Sequence, residues 1–302
     1  MNLLITGALP KDETFFRELE KMGHSITFVQ DERIPLKEQN IDPSRFEGVI
    51  CNGLFLYNDI GDFSSLKYIQ LTSAGLDRVP MDYVKSHDIE IHNARGVYSI
   101  PMAEFALCGV LQLYKQSRFF YDNQKERKWE KRRDLLELNG KTVCIVGCGS
   151  VGTECAKRFK AFGCEVLGVD LAVREDCNYD NIVSFASLDE TLGKSDVTVL
   201  TLPLTDETFH LFDEKRFSKM KRNSVIVNIA RGAVIETSSL VRALETNLLG
   251  AVLDVFEEEP LPANSPLWNM ENVIITPHNS FVGEGNVSRI TNLVWDFCNR
   301  LK

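Results

Sequence analysis

An α/β fold with two parallel sheets is the class this chain predicts, and three observations predict it. Short apolar runs alternate with amphipathic helical stretches along the whole chain, the rhythm of βαβ units. Midway, Thr142 to Gly152 reads TVCIVGCGSVG, an apolar run breaking into a GxGxxG pattern, as expected where a buried strand turns into a helix N-terminus. At 302 residues the chain is long for a single core, so two domains are expected.

The first segment opens with a strand at Leu3 to Thr6. The following PKDETFFRELEKMG puts Phe15, Phe16, Leu19 and Met22 on one helical face, and Gly23 ends it. Apolar runs at Ile26 to Val29, Gly48 to Cys51, Lys67 to Leu71 and Glu90 to His92 complete a small parallel sheet, none of whose turns is a phosphate-binding glycine loop. LTSAGLDRVP, Leu71 to Pro80, leaves a strand with small residues, so its backbone N–H groups are free to face a carboxylate. Taken alone, the loop reads equally well as an ordinary strand-to-helix turn. From Pro101, PMAEFALCGVLQLYKQSRFF is apolar on nearly every face, the mark of one buried helix between domains or subunits. The basic run KERKWEKRR, Lys125 to Arg133, then reads as a solvated connection.

The glycine loop begins the second α/β domain. Gly147 suits a tight turn, Gly149 close backbone approach to a pyrophosphate and Gly152 tight helix packing, with Ser150 and Val151 among the expected phosphate contacts. TECAKRFKAFG reads as the next helix and CEVLGVD as a second strand ending in Asp170. That acid lies roughly 20 residues past the glycines, where a ribose-binding carboxylate belongs. The competing reading, a glycine-rich turn that binds nothing, does not account for this context. Later strands are expected at Val197 to Leu202, Ser224 to Asn228, Gly250 to Asp254 and Val273 to Thr276, and ligands of such a sheet sit beyond its C-terminal strand ends. Three of those ends carry chemistry: Arg231, then Asp254 and Glu259, then His278. The terminal segment places Val287, Ile290, Leu293, Val294, Phe297 and Leu301 on one stripe; docked on the first domain, it would make the chain cross over twice.

Composition narrows the function classes. The net charge of −9 argues against nucleic acid and leaves any anionic substrate to local groups. No apolar run reaches membrane-spanning length and the N-terminus lacks signal-peptide features, so a cytoplasmic protein is the default expectation. The 8 cysteines contain no CxxC pair and read as buried thiols, with no metal site expected. His24, His87, His92 and His210 read as structural, and a glutamate in EEE as most often solvated.

An arginine, a carboxylate and a histidine at successive strand ends suggest redox chemistry on a small anion. The guanidinium grips a carboxylate with two prongs. A histidine gives or takes a proton near neutral pH, and a neighbouring carboxylate favours its protonated form.

Taken together, VGCGSVG, the PL of TLPLTDETFH, NIARGAVI, LDVFEEEP and TPHNS resemble the signature blocks of the D-2-hydroxyacid dehydrogenase family, NAD-dependent enzymes that include phosphoglycerate dehydrogenases and glyoxylate/hydroxypyruvate reductases. The resemblance implies hydride transfer between NAD(H) and the 2-carbon of a small D-2-hydroxy acid/2-oxo acid pair. It implies Arg231 as the substrate-binding arginine, Glu259 as the catalytic carboxylate and His278 as the acid/base histidine. Backbone amides of SAGLD, Ser73, Ala74 and Gly75 among them, would hold the substrate carboxylate. Asp170 matches the NAD-selecting acid, Asp254 a contact near the nicotinamide carboxamide, and Pro203 and Ala230 cofactor-lining positions.

The same resemblance implies a central Rossmann domain over 100–282 and a flavodoxin-like substrate domain built from 1–99 and 283–302. Hinges fall near Val97 to Met102 and Phe281 to Gly285, domain closure excludes water, and a homodimer forms through the NAD-binding domain. Three departures stand out: Arg95 and Tyr98 where many relatives carry Pro and Asn, Ile229 where a small polar residue is common, and NSFVGEG after the histidine. No regulatory extension follows, so serine control is not expected. Competing readings are an NADH-sensing interaction protein of the same fold, an NADP-preferring glyoxylate/hydroxypyruvate reductase suggested by Arg174, and a formate dehydrogenase, against which Glu259 speaks.

Overall fold

The computed structural model describes residues 1–301; Lys302, the end of the expected terminal segment, lies outside them. The chain divides into two compact units, Met1–Tyr98 with Gly283–Lys302, and Ser99–Val282.

The first unit carries strands β1 (Asn2–Thr6), β2 (Ser25–Val29), β3 (Gly48–Cys51), β4 (Tyr68–Leu71) and β5 (Glu90–His92), all parallel, in the order β2-β1-β3-β4-β5. Helix α1 (Glu13–Lys21) starts where the Asp12 carboxylate accepts the Thr14 and Phe15 amides at 2.8 and 3.1 Å, and it buries Phe15, Phe16 and Leu19. Helix α2 (Met81–Ser86) leads into β5. The C-terminal helix, Asn286–Arg300, buries Ile290, Val294, Phe297 and Cys298 in one cluster with Leu3, Ile5, Phe16 and Ile50. Both chain ends therefore build this unit.

The second unit begins with α3 (Ser99–Tyr114) and α4 (Ser117–Lys125), where a single buried helix was expected. Gln116 adopts φ +52 between them, a left-handed residue that ends one helix and starts the next. After β6 (Thr142–Val146) come α5 (Ser150–Ala161), β7 (Glu165–Val169), β8 (Asn181–Val183), α6 (Leu188–Lys194) and β9 (Val197–Leu200). The rest is α7 (Glu214–Phe217), β10 (Val225–Asn228), α8 (Thr237–Thr246), β11 (Gly250–Leu253) and β12 (Val273–Ile275). The sheet is parallel throughout, in the order β12-β11-β10-β9-β6-β7-β8. The order reverses beside β6, the switch point at which such sheets bind ligands.

Helices cover both faces, and the central strands β9, β10 and β11 are buried along their length, which is why they read as unbroken apolar runs. Helix α3 packs so closely on β11 that a Cβ on Gly109 would lie 2.5 Å from Val252. Two cysteines depart from the expectation of buried thiols: Cys108 and Cys177 are exposed, while the other six are buried and free. Burial pushes the Cys148 thiol up to about 11, so it stays protonated and unreactive at neutral pH. Among the described residues, no helix is long and apolar enough to cross a membrane.

Candidate active site

The glycine loop joins β6 to α5. Gly147 takes φ +98, and a Cβ there would lie 2.8 Å from the Leu202 amide. A Cβ on Gly152 would lie 2.1 Å from the Gly147 carbonyl. Gly149 forms the N-cap of α5 without a side chain over the helix end, so Ser150 and Val151 open a helix whose N-terminus is uncovered by its own cap. At the end of β7 the Asp170 carboxylate reaches back to the Cys148 amide at 2.6 Å and also accepts the Ala172 amide at 3.1 Å. Arg174 donates to the Cys148 carbonyl from the same side, so its guanidinium is tied to the loop. These residues fit a dinucleotide: the N-cap glycine sets no side-chain bond over the helix end, whose dipole favours an anion such as a pyrophosphate, and an acid closes the next strand as in dinucleotide-binding βαβ units.

Three neighbouring strand ends follow in the same unit. Asn228, the last residue of β10, is buried; its Oδ1 accepts the Ala230 amide at 3.1 Å and its Nδ2 donates to the Arg231 carbonyl at 3.0 Å. This knot turns the chain so that Arg231 stands exposed, its guanidinium donating to the Ala230 carbonyl at 2.8 Å. Sequence reasoning missed Asn228; the asparagine of NIARG at a strand end, able to satisfy both directions of a tight turn, was the available signal.

Gly232, next to Arg231, packs against the loop after β11, where its Cβ would lie 1.8 Å from the Phe256 carbonyl carbon. In that loop Glu259 accepts the Phe256 amide at 3.0 Å with Oε1 and contacts His278 Nδ1 with Oε2 at 2.8 Å. Glu259 and His278 therefore meet, with side chains 37 and 46% exposed.

Asp254, 1% exposed at the end of β11, holds His278 from beneath. Its carboxylate accepts the Thr276 hydroxyl at 2.6 Å and the Asn279 and Ser280 amides at 2.7 and 3.0 Å, while its carbonyl accepts the His278 amide at 2.8 Å. The segment after the histidine is thus fixed by Asp254, and Phe281 sets its ring edge-on to His278 at 6.3 Å. Ala230 is buried, and Pro203 is exposed with its carbonyl taken by Thr208.

Two side chains read as bland form a second pair. His210 Nε2 stands 2.6 Å from Glu257 Oε1, and Glu257 Oε2 accepts the Thr237 amide at 2.6 Å. Burial alone would raise the Glu257 carboxyl, but the Thr237 N–H and the His210 ring outweigh it and hold the group below the usual carboxylate range.

In the first unit, the loop after β4 has four successive carbonyls engaged. Thr72 accepts the Tyr98 hydroxyl, Ser73 the Ala94 amide at 2.8 Å, Ala74 the Asn93 amide group at 2.7 Å, and Gly75 the Ser73 hydroxyl at 3.1 Å. The negative ends of these peptides are satisfied within the unit. Tyr98, a departure from the family pattern, has a local task here: its hydroxyl holds the loop at Thr72.

A family model described as D-isomer specific 2-hydroxyacid dehydrogenase, NAD binding domain, matches residues 107–280. A glyoxylate reductase of Thermofilum pendens is 35% identical over 223 residues, 71% of this chain and 65% of that relative. The chain thus spans about two thirds of the length of the first curated relatives it matches. Among solved structures, a D-isomer specific 2-hydroxyacid dehydrogenase family protein from Aeromonas salmonicida is 31% identical, with TM-score 0.81 over 99% of this chain and 95% of that one. A D-lactate dehydrogenase from Aquifex aeolicus, complexed with NAD and lactic acid, is 29% identical, with TM-score 0.79 over 99 and 95%. NAD, the cofactor read from the glycine loop and the family resemblance, is the one that the matching family model names. The chain belongs to the D-isomer specific 2-hydroxyacid dehydrogenase family of NAD-dependent oxidoreductases.

Proposed function

We propose that this chain interconverts a small 2-oxo acid and its D-2-hydroxy acid, with His278 as the proton donor and acceptor. The observation that carries the reading is the 2.8 Å contact between His278 Nδ1 and Glu259, one strand end away from an exposed arginine. Nicotinamide, when bound, supplies or takes the hydride. Arg231 grips the substrate carboxylate through two parallel N–H···O bonds, which fix the 2-carbon in place and orientation. The Ser73, Ala74 and Gly75 amides are assigned to substrate binding, on the likeness of SAGLD to the family segment. Glu259 accepts the Nδ1 proton of His278, so Nε2 carries the proton given to the oxygen on the 2-carbon during reduction and receives it back during oxidation. Gly147, Gly149, Ser150, Val151 and Gly152 are assigned to the pyrophosphate, Asp170 to the adenosine ribose, and Pro203, Ala230 and Asp254 to the nicotinamide side.

A screen of NADH oxidation across glyoxylate, hydroxypyruvate, pyruvate, oxaloacetate, branched 2-oxo acids and phosphohydroxypyruvate tests this reading. Turnover of at least one acid is expected. Tight NADH binding with turnover of none would favour an NADH-sensing role instead.

A homodimer through the NAD-binding unit is part of the proposal. Leu107, Cys108 and Leu111 of α3 line a largely apolar groove of about 380 Å³ between the charged Glu104, Lys115 and Arg158. Light scattering should give twice the 34.2 kDa chain mass, and Leu111→Arg should give the monomer.

A further inference from the structure

Glu259 does not hold His278 alone, because the loop that carries it is anchored a second time. Two of the three consecutive glutamates after Phe256 each meet a histidine: Glu259 meets His278 at 2.8 Å and Glu257 meets His210 at 2.6 Å. Both histidines adopt left-handed backbone, φ +51 for His278 and +48 for His210, which non-glycine residues take only when their surroundings demand it. The His210 amide bonds to the Ala233 carbonyl at 2.8 Å, beside the Arg231–Gly232 turn, and Phe209 stacks on its ring at 4.0 Å. Glu257 is held from the other side by the first residue of α8, Thr237. Between these anchors, the Phe256–Glu257 peptide lies against Gly232, and the Phe256 amide holds the Glu259 carboxylate. A shift of Glu257 therefore moves both the Phe256 amide that orients Glu259 and the surface on which the Arg231 turn rests.

We propose that His210 and Glu257 are positioning residues for this centre: their hydrogen bond fixes the 256–259 loop, and through it Glu259 against His278. The inference rests on the assignment of His278 and Glu259 as the acid/base pair. A clamp that served stability alone would act equally whether or not Glu259 is present. A positioning pair has nothing left to position once Glu259 is gone.

The test is a double-mutant cycle on the full chain, read as NADH oxidation with whichever of glyoxylate, hydroxypyruvate and pyruvate turns over fastest. His210→Gly removes the imidazole and lets glycine take the left-handed backbone without strain, so it keeps the experiment decisive should Glu257→Ala fail to fold. Each change should lower kcat by about 10- to 100-fold, as small misplacements of catalytic groups do, with the KM for NADH unchanged. In a Glu259→Gln background either change should cost less than about threefold more, since groups that act as a unit are non-additive. Glu257→Gln, which still accepts the Thr237 amide and reaches His210, should stay within about threefold of wild type. Wild-type kcat in His210→Gly, or the same loss with and without Glu259, overturns the inference. If Glu259→Gln itself turns over at the wild-type rate, the acid/base reading falls and this inference falls with it; an impaired Glu259→Gln beside an unimpaired His210→Gly removes the inference alone.

Discussion

The carboxylate of Glu259 is shared between two donors: Oε2 lies 2.8 Å from His278 Nδ1, and Oε1 accepts the Phe256 amide at 3.0 Å. One oxygen fixes the carboxylate on its own loop while the other fixes the ring. With Nδ1 set against Glu259 and the backbone of His278 held by the Asp254 carbonyl, the imidazole is fixed from two sides, and the proposed acid/base role falls to Nε2.

Arg231 stands exposed at the end of β10, its turn held by Asn228. Arg231→Lys keeps the charge but loses the two-pronged geometry. The lost charge-assisted bond is worth about 1.5–3 kcal/mol, so kcat/KM for the 2-oxo acid should fall roughly 10- to 100-fold, with NADH affinity unchanged. Steady-state kinetics with the 2-oxo acid varied at saturating NADH checks this; an unchanged kcat/KM would remove Arg231 from the substrate site.

A methyl group on Gly152 would lie 2.1 Å from the Gly147 carbonyl, a backbone contact that no rotamer relieves. Gly152→Ala should destabilise the NAD-binding unit by about 1–3 kcal/mol and weaken NADH binding, because the helix must move off the loop. Thermal unfolding and NADH fluorescence titration measure both. Unchanged values for the two would mean that the loop is looser than its packing indicates.

Asp170 should choose between cofactors. Its carboxylate faces the loop from the end of β7 and would repel the 2′-phosphate of NADPH. Asp170→Ala should raise the NADPH to NADH ratio of kcat/KM by at least about tenfold, about 1.4 kcal/mol. Equal efficiency with the two cofactors in the wild type would contradict the assignment.

Glu257 gives a pH dependence with a definite sign. Its carboxyl is held below the ordinary value of 4.5, so the folded state binds its proton less readily than the unfolded chain. The stability it contributes is present above that ordinary value and is lost as pH falls through the lowered one. Denaturant unfolding should show wild type more stable than Glu257→Gln at neutral pH, with the gap closing on acidification below about 4.5. A gap independent of pH would mean that the carboxylate is not stabilised by its partners.

Much of this was legible because single residues had single tasks. Gly147 and Gly152 mark the loop since only glycine meets the left-handed turn and close packing found there, and buried parallel strands leave unbroken apolar runs. What escaped depended on partners remote in the chain. Gln116 carries no sequence signal for a left-handed residue, so α3 and α4 read as one helix. The three-residue strand β8, at the sheet edge, is too short to show a period. The EEE triplet looks solvated until folding brings His210 to Glu257 and His278 to Glu259. Tyr98 read as a departure at a hinge, and only the fold shows its hydroxyl on Thr72.

The central claim is that His278 carries the proton, and replacing it by alanine tests that most directly. NADH oxidation with the best 2-oxo acid should slow by roughly 10² to 10⁴, the contribution of a positioned proton donor, while NADH binding is retained. Wild-type turnover in His278→Ala would contradict the account.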